Sequence, residues 1–92
     1  MVSALLRAVP NPFNPRASIH YSLAERQPVA IEVFDVAGRR VRTLIDAVQD
    51  RGPHVVVWEG DDDRGVALPQ GVYWAAMKTP GYESSRKLIR LH

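Results

Sequence analysis

Hydrophobic and polar residues alternate with a period of two in several short segments of the chain, and no segment repeats its apolar residues at helical spacing. The apolar positions are Ala17, Ile19, Tyr21 and Leu23 in "ASIHYSL", and Val29, Ile31 and Val33 in "VAIEVFD". Alternation of this kind describes a strand with one face toward a core and the other toward solvent. Both segments therefore predict half-buried strands.

Further strands are predicted on both sides of this pair. Gly38 in "DVAGRRV" can adopt the positive φ of a tight hairpin, which predicts a return strand over residues 39–45. "HVVVWEG" is rich in valine, and consecutive valines favour a strand buried on both faces. "ALLRAV", "VYWAAMK" and "SSRKLIRLH" complete the set. Within "VYWAAMK", Tyr73 and Trp74 should point to opposite faces, so that one of them reaches the surface or a neighbouring loop.

Seven short strands with turn signals between them predict an all-β fold, a β-sandwich of about seven antiparallel strands. We expect residues 1–9 to form the first strand or a linker from a parent protein, and residues 10–92 to form the domain itself. At 92 residues, with 46% hydrophobic and 24% charged residues, the composition fits one globular domain.

Charge and composition argue against several functions. The net charge is only +2, and the basic residues are scattered until Arg86, Lys87 and Arg90, so the continuous basic stripe of a nucleic-acid-binding surface is missing. Cysteine is absent, which excludes disulfides and thiolate metal sites. No apolar run is long enough to span a membrane. "MVSALLRAV" is interrupted by Arg7 and does not read as a signal peptide, so we expect an exported protein to carry its signal on a longer parent chain.

Catalytic and metal-binding motifs are also missing, with one open alternative. The sequence has neither "HExxH" nor "GxSxG", and its three histidines lack metal-ligand spacing, so we expect no enzymatic activity. Asp61, Asp62 and Asp63 could supply oxygen ligands to Ca²⁺. The EF-hand template fails there, because Val66 and Val72 stand at its glycine and glutamate positions. Aspartates that bond backbone N–H groups in a turn are the favoured interpretation, and a calcium site is the alternative.

The hexamer "PNPFNP" cannot join a helix or a central strand, because proline lacks a backbone N–H. It formally matches the PxxP pattern that aromatic grooves bind. We favour a rigid corner in which Phe13 is buried as an anchor, while Pro12 and Pro15 lie outside the hydrogen-bonded strands. The exposed member of the Tyr73 and Trp74 pair leaves sugar stacking as a further alternative.

Several motifs in order resemble one family over residues 10–91. "NPFNPRASIHYSL", "VAIEVFDVAGRRVRTL", "RGPHVVVWEGDDDRGVALPQGVYWAAM" and "SRKLIRL" resemble the FlgD immunoglobulin-like domain and the overlapping type A C-terminal sorting domains of the type IX secretion system. The positions that match the family's motifs are Asn11, Pro12, Phe13, Asn14, Pro15, Asp35, Gly38, Arg39, Trp58, Gly60, Gly71, Val72 and Tyr73. Glu59 departs from the aspartate that the family usually has there.

The resemblance implies an immunoglobulin-like sandwich without catalysis or a resident cofactor, at the end of a secreted or cell-surface bacterial protein. It implies sorting by the outer-membrane secretion machinery or attachment to a cell-surface component, with an enzyme or surface protein upstream. Within such a module we expect the last strand to bind the partner, through Arg86, Lys87 and Arg90 or by adding to a sheet edge. The alternatives are a carbohydrate- or protein-binding accessory module and the sandwich domain of a flagellar hook-capping protein.

Overall fold

The computed structural model describes residues 2–91, and Met1 and His92 lie outside this range. The seven strands are β1 (Ala4–Val9), β2 (Ala17–Leu23), β3 (Gln27–Phe34), β4 (Arg40–Gln49), β5 (Gly52–Trp58), β6 (Gly71–Thr79) and β7 (Tyr82–Arg90). Every pair of neighbouring strands is antiparallel. Residues 2–91 contain no helix that is long and apolar enough to cross a membrane. The predicted all-β sandwich of seven antiparallel strands is confirmed.

The strands form two sheets. One has three strands in the order β1-β2-β5, and the other has four in the order β4-β3-β6-β7. The chain passes between the sheets after β2, after β4 and after β5. The first and last strands therefore belong to different sheets, and each lies at an edge of its sheet.

The core lies between the two sheets, and the period-two patterns of β2 and β3 supply much of it. Its buried members are Leu5, Ala8, Phe13, Ala17, Ile19, Tyr21, Leu23, Val29, Ile31, Val33, Trp58, Tyr73, Ala75, Met77 and Leu88. All seven apolar residues predicted to face inward from β2 and β3 are in this set. Burial of these side chains is the main term that stabilises the fold, because the chain has no cysteine to cross-link it.

Strand β5 departs from the sequence-based expectation. Val55 and Val57 are 57% and 43% exposed, so the strand buries one face only and the prediction of burial on both faces is wrong. The reason is its position: β5 is an edge of the three-stranded sheet, and only β2 pairs with it. Valine suits the extended backbone whether or not both faces are covered, so a valine run does not by itself report two-sided burial.

The hairpin predicted at Gly38 is confirmed. Gly38 has a φ of +80°, and its N–H donates to the Asp35 carbonyl at 3.0 Å. The Asp35 carboxylate accepts the N–H groups of Ala37 and Arg39, both at 3.0 Å. The hydrogen bond from the Arg39 N–H is the largest cause that holds the pKa of Asp35 below its usual value, and the bond from Ala37 acts in the same direction. The return strand β4 begins at Arg40 and is longer than predicted.

Candidate functional site

The outer edge of β7 is covered by the asparagine-proline segment. The Asn11 side-chain amide donates to the Lys87 carbonyl at 2.9 Å, and its oxygen accepts the Ile89 N–H at 3.0 Å. The Phe13 N–H donates to the Ile89 carbonyl at 2.8 Å, and the Leu91 N–H donates to the Phe13 carbonyl at 2.9 Å. Asn11 and Phe13 thus take the place of a neighbouring strand beside residues 87–91.

The Phe13 side chain anchors the asparagine-proline segment to the core. Its ring is fully buried and packs against Trp58, with ring centroids 5.3 Å apart. Trp58 in turn meets Tyr73 edge-on, also at 5.3 Å, and donates its indole N–H to the Asp61 carbonyl at 2.9 Å. Pro12 and Pro15 lie outside the strands. The predicted burial of Phe13, with Pro12 and Pro15 outside the hydrogen-bonded strands, is confirmed.

Two side chains of β7 join β1 to β7 farther along the same edge. The Leu5 N–H donates to the Tyr82 hydroxyl oxygen at 3.0 Å, and the Arg86 guanidinium donates to the Leu5 carbonyl at 2.8 Å. The first of these bonds is the main cause that lowers the pKa of Tyr82. Because β1 and β7 belong to different sheets, these contacts close the sandwich along one side.

The three basic residues predicted to bind a partner have different environments. Arg86 is held to Leu5, and the Arg90 Nε donates to the Leu68 carbonyl at 3.0 Å. The Arg90 guanidinium lies over Gly60, so close that a Cβ on Gly60 would stand 2.8 Å from its Cζ atom. Lys87 is exposed and makes no salt bridge within residues 2–91. Their role in partner binding stays a prediction, with Lys87 as the side chain that is free to carry it.

The hydrogen bonds at the outer edge of β7 disfavour the addition of a partner strand to this edge. A partner strand needs unpaired N–H and C=O groups along the edge. Between residues 87 and 91 the outward backbone groups of β7 already bond to Asn11 and Phe13. A partner strand could pair there only after displacing the asparagine-proline segment and exposing the Phe13 ring.

The loop that contains Asp61, Asp62 and Asp63 covers the opposite edge of the four-stranded sheet, at strand β4. The Asp63 N–H donates to the Val41 carbonyl at 3.0 Å, and the Asp63 carboxylate accepts the Thr43 N–H at 2.8 Å. One residue again satisfies a donor and an acceptor of an edge strand, here on β4. Both outer edges of this sheet are thus partly capped by residues from loops, an arrangement that limits edge-to-edge association.

Asp62 closes the loop itself. Its carboxylate accepts the N–H groups of Val66 and Arg64 at 3.0 and 2.9 Å, and the Arg64 guanidinium lies 3.3 Å from it. The bond from Val66 is the main cause that holds the pKa of Asp62 below its usual value. The predicted turn role is confirmed for Asp62.

Two of the three aspartates face an arginine, and the third closes a turn. The Asp61 and Asp63 carboxylates each lie 3.9 Å from a nitrogen of the Arg42 guanidinium, while the Asp62 carboxylate accepts the Val66 and Arg64 N–H groups. Among residues 2–91, no group of three or more His, Cys, Asp or Glu side chains is placed to hold a metal ion. The donors therefore do not form a calcium-binding set in this arrangement, and the calcium alternative stays a prediction.

A second surface lies on the outer face of the four-stranded sheet. Trp74 is 40% exposed whereas Tyr73 is 5% exposed, which confirms that the pair points to opposite faces. The strand registers place Phe34 beside Trp74, Arg40 beside Phe34, and Lys87 beside Trp74. These four residues, Arg40, Phe34, Trp74 and Lys87, are called the aromatic row below.

Sequence reasoning missed several of these residues because their roles depend on register. The sequence places Asn11 only within the "PNPFNP" corner, yet both of its side-chain bonds reach residues more than 70 positions away. Tyr82 and Arg86 likewise act on β1. Phe34 and Arg40 join Trp74 only through strand pairing. No local pattern in the sequence reports such contacts.

Comparison with known proteins identifies the family of the chain and finds a solved structure with a similar fold. The family model of the FlgD Ig-like domain matches residues 15–81, and the chain belongs to that family. A search of curated proteins finds no match. Among solved structures, dimeric latent PorU from Porphyromonas gingivalis is similar, with 22% sequence identity and a TM-score of 0.73. The match covers 98% of this chain and 9% of the PorU chain, so the likeness concerns the fold and a small part of a much longer protein.

Proposed function

We propose that the chain is a non-catalytic module of a secreted bacterial protein, which directs export through the outer membrane and attachment to the cell surface. The observation that carries the proposal is that 98% of this chain matches only 9% of a much longer chain, PorU. Membership of the FlgD Ig-like family over residues 15–81 supports an accessory role. The resemblance to type A sorting domains supplies the specific role in type IX secretion.

The partner would be the outer-membrane secretion machinery or a cell-surface component, and it would recognise the folded module. The last strand offers its outward side chains, because the neighbouring segment holds its edge from Lys87 to Leu91. Arg86 and Arg90 stabilise the fold through the carbonyls of Leu5 and Leu68. Lys87 is therefore the residue of the three that we expect to meet the partner directly.

A reporter fusion tests the proposal. Residues 1–92 are fused to the C-terminus of a periplasmic reporter in a bacterium with type IX secretion, and the reporter is measured in the medium, on the cell surface and in the periplasm. Deleting the last strand is a poor control, because it removes the fully buried Leu88 and would unfold the domain. A single substitution on a folded domain is the sharper test.

Lys87→Gln and Lys78→Gln form a matched pair, since both lysines are exposed on strands of the same sheet. We expect export of the wild-type fusion, reduced export with Lys87→Gln, and unchanged export with Lys78→Gln. Retention of the wild-type fusion in the periplasm, with the domain folded, would refute a sorting role. Equal export of both variants would refute the role of Lys87.

A further inference from the structure

The aromatic row lies on the outer face of the larger sheet, where Arg40, Trp74 and Lys87 are exposed and Phe34 is half-buried. It crosses all four strands of the larger sheet in the order Arg40, Phe34, Trp74 and Lys87, on β4, β3, β6 and β7. The buried neighbours of Trp74 in β6 are Tyr73 and Ala75, so the indole lies on the face away from the core. A ligand that covers the exposed part of this indole would remove apolar surface from water, which is favourable.

The dimensions of the row suit an extended chain molecule. Neighbouring strands lie about 4.8 Å apart, so four strands place Arg40 and Lys87 about 14 Å from each other. The two rings occupy the middle of that span. Such a line fits a few consecutive units of a linear polymer, whereas a stable protein interface covers about 800 Å² on each partner.

The charges at the two ends of the row have the same sign. Lys87 makes no salt bridge within residues 2–91. The Arg40 guanidinium is oriented by Glu32, whose carboxylate lies 3.2 Å from it, and Arg40 remains mostly exposed. A guanidinium or ammonium group beside an aromatic ring favours a ligand that has both an apolar face and a carboxylate.

From these observations we infer that the aromatic row is a binding surface for an acidic polysaccharide. The apolar faces of consecutive sugar rings would lie on Trp74 and Phe34, and sugar carboxylates would pair with Lys87 and Arg40. The ends of the row are cationic, so a uronate polymer is favoured over a neutral glucan. Binding to this surface requires only the folded sheet and no secretion machinery, and the surface shares Lys87 with the proposed export contact.

Binding of the whole 92-residue chain to polygalacturonate, measured by isothermal titration calorimetry at low ionic strength, tests the inference, with dextran as the neutral polymer. We expect binding to polygalacturonate and at least tenfold weaker binding to dextran. Trp74→Ala should lower the affinity about tenfold or more, as loss of a stacking platform does for other ring-shaped ligands. Lys87→Gln should lower it about two- to fivefold, with a smaller effect as salt is added.

Two controls keep the test decisive. Lys78→Gln removes a lysine from the same sheet but outside the row and should leave the affinity within about twofold of wild type. Trp74→Phe keeps a ring and should retain most of the binding, and thermal unfolding verifies that each variant folds.

Equal affinity for dextran, or unchanged binding by Trp74→Ala, would overturn the inference. Tighter binding to single-stranded oligodeoxythymidylate than to polygalacturonate would also overturn it and assign the row to nucleic acid.

Discussion

Replacement of Phe13 by alanine tests whether the asparagine-proline segment is part of the folded core or an arm lying on it. The ring is fully buried and its centroid lies 5.3 Å from that of Trp58. Truncation of a buried phenylalanine costs about 3–5 kcal/mol, from lost burial and from the cavity left behind. The backbone bonds of Phe13 to Ile89 and Leu91 do not involve the ring, so alanine could still form them.

The size of this effect is large relative to the whole domain. A 92-residue domain has a free energy of unfolding of about 5–14 kcal/mol, so Phe13→Ala would remove about a fifth of it or more. Urea denaturation followed by tryptophan fluorescence measures the change, because Trp58 lies next to the ring. Phe13→Leu, which keeps much of the volume, should lose less and provides a measurable variant if the alanine variant is unfolded in water.

A matched control is Val36→Ala in the hairpin, because Val36 is 77% exposed and should change the free energy of unfolding by less than about 0.5 kcal/mol. If Phe13→Ala lost less than about 1 kcal/mol with an unchanged dependence on urea, the segment would not be packed as described. The interpretation of "PNPFNP" as an anchored corner would then be refuted.

Three further substitutions test other contacts by the same denaturation measurement. Gly60→Ala should destabilise the domain by about 1–3 kcal/mol, because Gly60 has a φ of +72° and a Cβ would meet the Arg90 guanidinium; no loss would contradict this close approach. Arg86→Met should lose about 1 kcal/mol or more, since the Leu5 carbonyl loses a charge-assisted donor; an unchanged midpoint would show that β1 does not depend on this bond. The pKa of Asp62 is lowered in the folded state, so its contribution is present above the usual value of 3.8 and is lost as pH falls through the lower folded value. Asp62→Asn should therefore flatten the fall of stability below about pH 4, and an unaltered pH profile would refute the assignment.

The parts of the fold that follow from local pattern could be predicted from the sequence. Period-two alternation identified the buried faces of β2 and β3, from Ala17 to Val33, because side-chain direction in a strand depends only on position along it. The Gly38 hairpin could also be predicted from the sequence, since a positive φ is a local requirement that glycine meets.

The environment of each basic residue in β7 could not be predicted in the same way. Arg86, Lys87 and Arg90 look alike in sequence, yet Arg86 is held by a residue 81 positions away and Arg90 by one 22 positions away. The exposure of Val55 had the same origin, because the position of β5 at a sheet edge is a property of topology. Pairing across the sandwich decided which side chains stayed available to a partner.

The joining of the first and last strands has a mechanical consequence. The N-terminal segment contacts successively later positions of the last strand, first through Leu5, then Asn11, then Phe13. The two segments therefore run in parallel, and Phe13 and Arg90 form a parallel β-bridge. Tension applied between residues 2 and 91 would load their six hydrogen bonds in shear, together rather than one after another. The domain should therefore resist pulling from its two ends more strongly than its equilibrium stability alone suggests.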